Sequence, residues 1–225
     1  MSPPADTLLK ILTEPRAAND LGRYFALSLA GSSPRFTGGR FERLAGGGDR
    51  PSVRNRVAAE DLLAVTMLSV HVPAAIALEL LEGSLGEDVA AHLAQIPTDV
   101  DLGSDRAHDL VAPRAPAELM WELLKDCDGV GWVTAGKLLA RKRPRLIPVY
   151  DHVVRCVYGR PRHFWLWLHG LLADEDIGLR ASLQDLRMRA GVPEDISDLR
   201  ILDVAVWMRH RADHVASRCR GANLA

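Results

Sequence analysis

Asp128-Gly129-Val130-Gly131-Trp132-Val133-Thr134-Ala135-Gly136-Lys137-Leu138-Leu139 is the stretch on which the fold turns. Upstream of it, Pro116 is suited to the first turn of a helix, and Leu119, Met120, Leu123 and Leu124 follow at helical spacing. Downstream, Trp132 to Leu139 has the composition of a second helix. Two helices joined by a Gly-apolar-Gly turn make a helix–hairpin–helix pattern. Gly129 can take the left-handed conformation that ends a helix. Gly131 lets the backbone approach another molecule closely. Val130 is placed to plug the space between the helices, and Ala135 is small where they would cross. The amides that open the second helix carry the positive end of its dipole, an arrangement that binds phosphate without a side chain.

Working outward, the rest of the chain also reads as helices. Leu8 to Leu12 and Tyr24 to Leu29 suggest a helical lead-in over 3–30. Leu62 to Val70, Ala74 to Leu81 after Pro73, and Leu85 to Ile96 before Pro97 follow. Beyond the hairpin come Phe164 to Leu172, Ile177 to Met188 and Leu199 to Met208, with Gly191 and Pro193 between the last two. Strand alternation of useful length is missing, apart from a little extended chain expected at Ile147 to Tyr150. The fold class is therefore all-α, as one helical domain over 1–225 composed of two lobes. Residues 97–116, with three prolines and several aspartates, read as a connector. The hairpin and the start of the helix after it occupy 117–159.

Residues 31–56 differ in character. Six glycines and six arginines punctuate them, with Phe36 and Phe41 between. Six glycines weigh against a single regular helix. Two alternatives stay open here: a surface loop with solvated arginines, or a loop that contacts phosphate through Arg and bases through Phe. The glycines are not followed by Lys-Ser or Lys-Thr, so this is no Walker loop.

The 225 residues carry 28 Lys plus Arg against 29 Asp plus Glu, a net charge of −1, so any basic surface must be local. Between Lys137 and Arg162 there are eight basic residues and one acid, Asp151. Thr134, Lys137 and Arg141 share one face of the second helix. With Gly129, Val130 and Gly131 they form the expected grip on a DNA backbone. Cys127, Cys156 and Cys219 are far apart and form no CxxC pair. No secretory signal or membrane-spanning run is read, so the expectation is a cytoplasmic chain with reduced thiols.

Gly129 to Ala135, followed by Ile147-Pro148-Val149-Tyr150-Asp151-His152-Val153, resembles the helix–hairpin–helix base-excision DNA glycosylases. The likeness covers about forty residues. It implies a glycosylase-like two-lobed fold, duplex DNA as partner, and Asp151 as the catalytic carboxylate. A flipped base would then sit in a pocket containing Trp132 and Tyr150, with Trp165 and Trp167 as further candidates. His152 and Arg155 fall one residue earlier than in that family. Val133 stands where the bifunctional members have a Schiff-base lysine, and Lys137 lies one turn further on; the resemblance thus implies a monofunctional enzyme without lyase chemistry. The four-cysteine loop of some members is missing. The whole chain, with its Gly-Arg-Phe segment, resembles an uncharacterised family of bacterial proteins, which implies no activity. A non-catalytic scaffold for DNA or protein binding is the alternative.

Asp151 is also well placed to cap the helix that begins at His152, a role sufficient by itself to explain it. The Phe164-Trp165-Leu166-Trp167-Leu168 run is apolar all round and reads as core. His210, Asp213 and His214 share a helical face, but Arg209, Arg211 and Arg218 surround them. The expectation is no metal site and no cofactor.

Overall fold

The computed structural model describes residues 3–27 and 36–217. Arg35, Arg218, Cys219, Leu29 and the start of the 31–56 segment lie outside the described residues. Within them the regular structure is helical, with no strand, so residues 147–150 run as irregular chain and the extended stretch expected there forms no sheet.

The helices are α1 (Pro3–Thr13), α2 (Pro15–Phe25), α3 (Ala59–Thr66), α4 (Ala74–Glu82), α5 (Ser84–Ala94), α6 (His108–Val111), α7 (Pro116–Lys125), α8 (Trp132–Lys142), α9 (His152–Tyr158), α10 (Phe164–Ala173), α11 (Leu179–Ala190) and α12 (Asp198–Ser217). Their limits follow local chemistry. Pro15 opens α2 and Pro116 opens α7, where a missing N–H costs nothing. Gly191, at φ 64°, ends α11 in the left-handed conformation. The lead-in over 3–30 is two helices, α1 and α2, because Pro15 cannot continue the first. No described helix is long and apolar enough to cross a membrane.

The helices pack in two neighbourhoods. α12 contacts α1, α2, α9 and α11, bringing the first and last described helices together, while α3 and α7 contact α8 and α5 contacts α4 and α7. α8 runs through the middle of the second group and is covered on nearly every side. Its small and apolar residues Ala135, Leu138, Leu139 and Ala140 are in the core, as expected of a central helix. Its cations are there too.

Arg141, Lys142 and Arg143 are each no more than 1% exposed. Arg141 donates to the Phe41, Glu42 and Leu44 carbonyls at 2.6, 2.7 and 2.7 Å, and to Asp61 Oδ1 at 3.0 Å. Lys142 reaches the Val53 carbonyl and Asp61 Oδ2, both at 2.9 Å. Arg143 donates to the Arg54 carbonyl at 2.7 Å and the Leu93 and Ile96 carbonyls at 2.5 Å. These partners explain the Gly/Arg-rich segment. Its described part, 36–56, holds only the short 3₁₀ turns Thr37–Arg40 and Leu44–Gly46, so most of its carbonyls have no helical partner. The cations of α8 supply the missing donors and fasten the segment to the core. Phe41, fully buried, is its apolar anchor. Gly48 lies so close to α8 that a Cβ there would come within 2.4 Å of the Arg141 carbonyl oxygen. Neither alternative for this segment describes the whole of it, since Phe41 is core while Arg40, Arg54 and Arg56 remain exposed.

Candidate functional site

α7 and α8 pack against each other, and residues 126–131 make the turn between them. Gly129, at φ 74°, takes the left-handed conformation, three residues beyond the C-cap of α7 at Asp126. The Val130 N–H closes the turn on the Cys127 carbonyl at 3.0 Å, and its side chain is buried between the helices as expected. Trp121 Nε1 donates to the Trp132 carbonyl at 3.1 Å, tying α7 to the first residue of α8. Gly129 and Gly131 are exposed, and Gly131 has open space on its Cβ side.

The side chains assigned to the backbone grip lie elsewhere. Thr134, Lys137 and Arg141 do share one face of α8, but it is the inward face, with exposures of 8%, 4% and 1%. The periodicity is right and the direction is reversed. Arg141 spends its guanidinium on carbonyls and Asp61, so it is a structural cation and offers nothing to a phosphate. The exposed part of the expected grip is confined to Gly129 and Gly131.

Asp151 is where α9 begins. Its Oδ1 accepts from the Val153 and Val154 N–H groups at 2.9 and 3.2 Å, the cap that the sequence suggests. Its other oxygen, Oδ2, lies 3.6 Å from Lys137 Nζ. Lys137 also donates to the Leu68 carbonyl at 2.8 Å. Both residues line a cavity of about 560 Å³ between the two helical neighbourhoods, with Met67 to Val70, Val133 and Lys137 on one side and residues of α2, α9 and α12 on the other.

The rest of this cavity was not legible beforehand. Arg200 and Asp203, one turn apart on α12, form a buried ion pair in its wall. Arg200 Nη2 also donates to the Tyr24 hydroxyl at 2.7 Å and the Gly38 carbonyl at 3.0 Å. Among the described residues its Nε has no hydrogen-bond partner. Tyr24, Phe36 and Trp207 complete an aromatic side: Tyr24 and Phe36 stack at 5.3 Å, and Trp207 meets Phe36 edge-on at 5.9 Å. One signal in the sequence pointed here, two charges inside the apolar run Leu199-Arg200-Ile201-Leu202-Asp203-Val204.

Electrostatics set these groups apart. Burial pushes the Asp203 carboxyl up to about 7, helped by the nearby Asp151 charge and opposed by Arg200 and Lys137. Burial lowers the Lys137 ammonium, with Asp151 and Asp203 acting in the opposite direction. A carboxyl that titrates near neutrality beside a second carboxylate and a lysine is an arrangement suited to proton transfer.

Trp132 and Tyr150 do not line this cavity. They border a separate hollow of about 260 Å³ with Trp121, Arg155, Phe164 and Trp165. Tyr150 stacks on Phe164 at 3.9 Å and its hydroxyl donates to the Gly159 carbonyl at 2.6 Å. Neighbouring positions 150 and 151 thus line different cavities, so Trp132 and Tyr150 are not brought to Asp151; the aromatic rings that share its cavity are Tyr24, Phe36 and Trp207. Trp167 packs on Tyr158 and Phe164, as core. A larger opening, about 900 Å³, lies away from Asp151 and includes Arg43, Asp101, Arg145, Arg187, Asp195 and Asp198 in its wall. Three ion pairs, Arg43–Asp195, Arg145–Asp101 and Arg187–Asp198, lie in its wall.

No curated protein and no solved structure matches the chain. A family model does match, over residues 17–210, which takes in every residue of the Asp151 cavity. The chain belongs to that family, DUF6308, a family of unknown function.

Proposed function

We propose that the protein acts on nucleic acid as a helix–hairpin–helix protein of glycosylase-like, two-lobed architecture, and that Asp151 serves the hydrolytic release of a base without a lyase step. The observation that carries this reading is the division of labour at Asp151. Oδ1 holds the start of α9, and Oδ2 is left facing a cavity that also holds Lys137 and Asp203. The reading is supported by helices packed on either side of that cavity and by the exposed turn at Gly129 and Gly131, which leads directly into the helix bearing Val133 and Lys137.

In the reaction, the base–sugar C–N bond breaks and positive charge develops on the sugar. Asp151 stabilises that charge or takes a proton from the attacking water, whose oxygen bonds to the sugar carbon. Asp203, with its raised pKa, is the group suited to protonate the departing base. Tyr24, Phe36 and Trp207 give the cavity an aromatic wall beside which a flipped base would lie. Phosphate is held by hairpin amides, because the α8 cations are buried.

The test is base release from duplexes that carry single deaminated, oxidised or alkylated bases, read as alkali-labile strand breaks under single-turnover conditions. Asp151→Asn keeps an oxygen to cap α9, so it should fold and bind while losing base release by roughly 10²-fold or more. Release undiminished in that variant, or no release by the wild type from any such duplex, would overturn the enzymatic reading. A covalent adduct trapped by borohydride would contradict the absence of lyase chemistry and point to Lys137. The burial of Thr134, Lys137 and Arg141 withdraws three side chains from the expected DNA grip and so favours, within the second reading of a non-catalytic scaffold for DNA or protein, its protein-binding form, for which neither base release nor salt-sensitive duplex binding is the expected result.

A further inference from the structure

Two histidines one helical turn apart meet a cysteine from another helix beside the Asp151 cavity. His210 and His214 lie on α12, and Cys156 comes from α9, which packs along it. Cys156 Sγ is 3.2 Å from His214 Nδ1. One donor atom from each of the three residues lies within 4.8 Å of the others, and all three side chains are half-buried. Around a tetrahedral zinc ion, neighbouring S and N ligands are separated by roughly 3.4–3.6 Å, given bonds of about 2.3 and 2.0–2.1 Å. The three groups therefore need to move by roughly an ångström or less to surround one ion.

We propose that Cys156, His210 and His214 form a binding site for a borderline divalent transition-metal ion, Zn²⁺ in the first instance, with the fourth position left to water. The ligand chemistry selects the ion: a thiolate with two imidazoles suits Zn²⁺ and Co²⁺ and is foreign to Mg²⁺ and Ca²⁺. Of the neighbouring arginines, the two that are described are occupied in other directions. Arg209 pairs with Glu14 at 3.3 Å, and Arg211 lies over the Phe36 and Trp207 rings at 4.8 and 4.9 Å. The charge objection that a sequence raises against His210 and His214 is thereby reduced. Metal binding replaces the thiol proton and the contacts that Sγ makes to the His152 carbonyl and to His214.

The position gives the ion a purpose. Asp151 caps the start of α9, and α12 carries Arg200, Asp203 and Trp207. An ion shared by the two helices clamps those two walls of the cavity together. This inference stands on the three ligands alone and is independent of any reaction at Asp151.

The experiment uses the full chain, stripped with a chelator, kept reduced and titrated with Co²⁺. One equivalent should produce a thiolate-to-cobalt charge-transfer band in the near ultraviolet and intense visible bands of a four-coordinate ion, both abolished by Zn²⁺. Cys156→Ala should lose the charge-transfer band, and His210→Ala and His214→Ala should each weaken binding at least about tenfold. Cys127→Ala and Cys219→Ala should leave the spectrum unchanged. Circular dichroism establishes that each variant is folded, and Zn²⁺ should raise the melting temperature of the wild type but not of the folded Cys156→Ala variant. No spectral change with Co²⁺, or a charge-transfer band that survives in Cys156→Ala, would overturn the proposal.

Discussion

Asp61 is fully buried and is the acid shared by Arg141 and Lys142. Its Oδ2 also accepts from the Ala58 N–H at 3.0 Å, so one carboxylate bridges two cations and caps α3. Burial lowers the Lys142 ammonium and brings Arg143 down to about 10, the expected direction for cations withdrawn from water. Asp61→Ala leaves Arg141 and Lys142 without their anion, and urea denaturation should show a loss of about 3–5 kcal/mol. At Asp203 the sign with pH is fixed by its raised pKa. Between the ordinary carboxylate value of about 4 and the native value of about 7, the folded chain keeps a proton that the unfolded chain has released. The stability this contributes is full below about pH 4 and is lost as pH rises through 7. Relative to Asp203→Asn, the wild type should lose stability across that window with a slope of at most about 1.4 kcal/mol per pH unit, measured by denaturation at a series of pH values.

At the scale of the element, α8 shows what a sequence discloses and what it hides. Its limits, its Gly-apolar-Gly entry and the burial of Val130 and Ala135 follow from residue type and spacing. The direction of its basic face does not. A run of Lys and Arg ordinarily marks a solvated surface, and here it is buried because an irregular segment nearly ninety residues earlier needs donors for its carbonyls. That demand comes from tertiary structure and leaves no mark in the periodicity of α8. The same limit applies to Cys156, His210 and His214: the His pair is visible as a spacing of four, whereas the cysteine arrives only when α9 packs on α12. The hairpin offers a sharp comparison. Gly129→Ala places a Cβ at φ 74° and 2.9 Å from Pro73 Cγ, whereas Gly131 has an ordinary φ of −76° and open space. Gly129→Ala should cost about 1–2 kcal/mol and Gly131→Ala close to nothing in thermal or urea unfolding.

At the scale of the molecule, the Asp151 cavity exists because the two ends of the chain come together. Tyr24 from α2 and Arg200, Asp203 and Trp207 from α12 meet the residues around the hairpin across it. The all-α class and Asp151 as a cap were legible from local pattern, because capping and amphipathic spacing act within a few residues. The cavity's aromatic side was not, since Trp207 is more than 170 positions from Tyr24 and Phe36 and is joined to them only by packing. The exposed turn at Gly129 and Gly131 opens α8, whose Val133 and Lys137 line this cavity, and the central proposal is that the amides of this turn bind nucleic-acid phosphate. The most direct test is binding of a fluorescent duplex across a salt series by the wild type and Gly131→Asp, a substitution that the open space at Gly131 should accommodate without unfolding. The account predicts affinity that falls steeply with salt, and a folded variant that binds at least about tenfold more weakly. Equal binding by the two proteins, or none by the wild type at low salt, would contradict it.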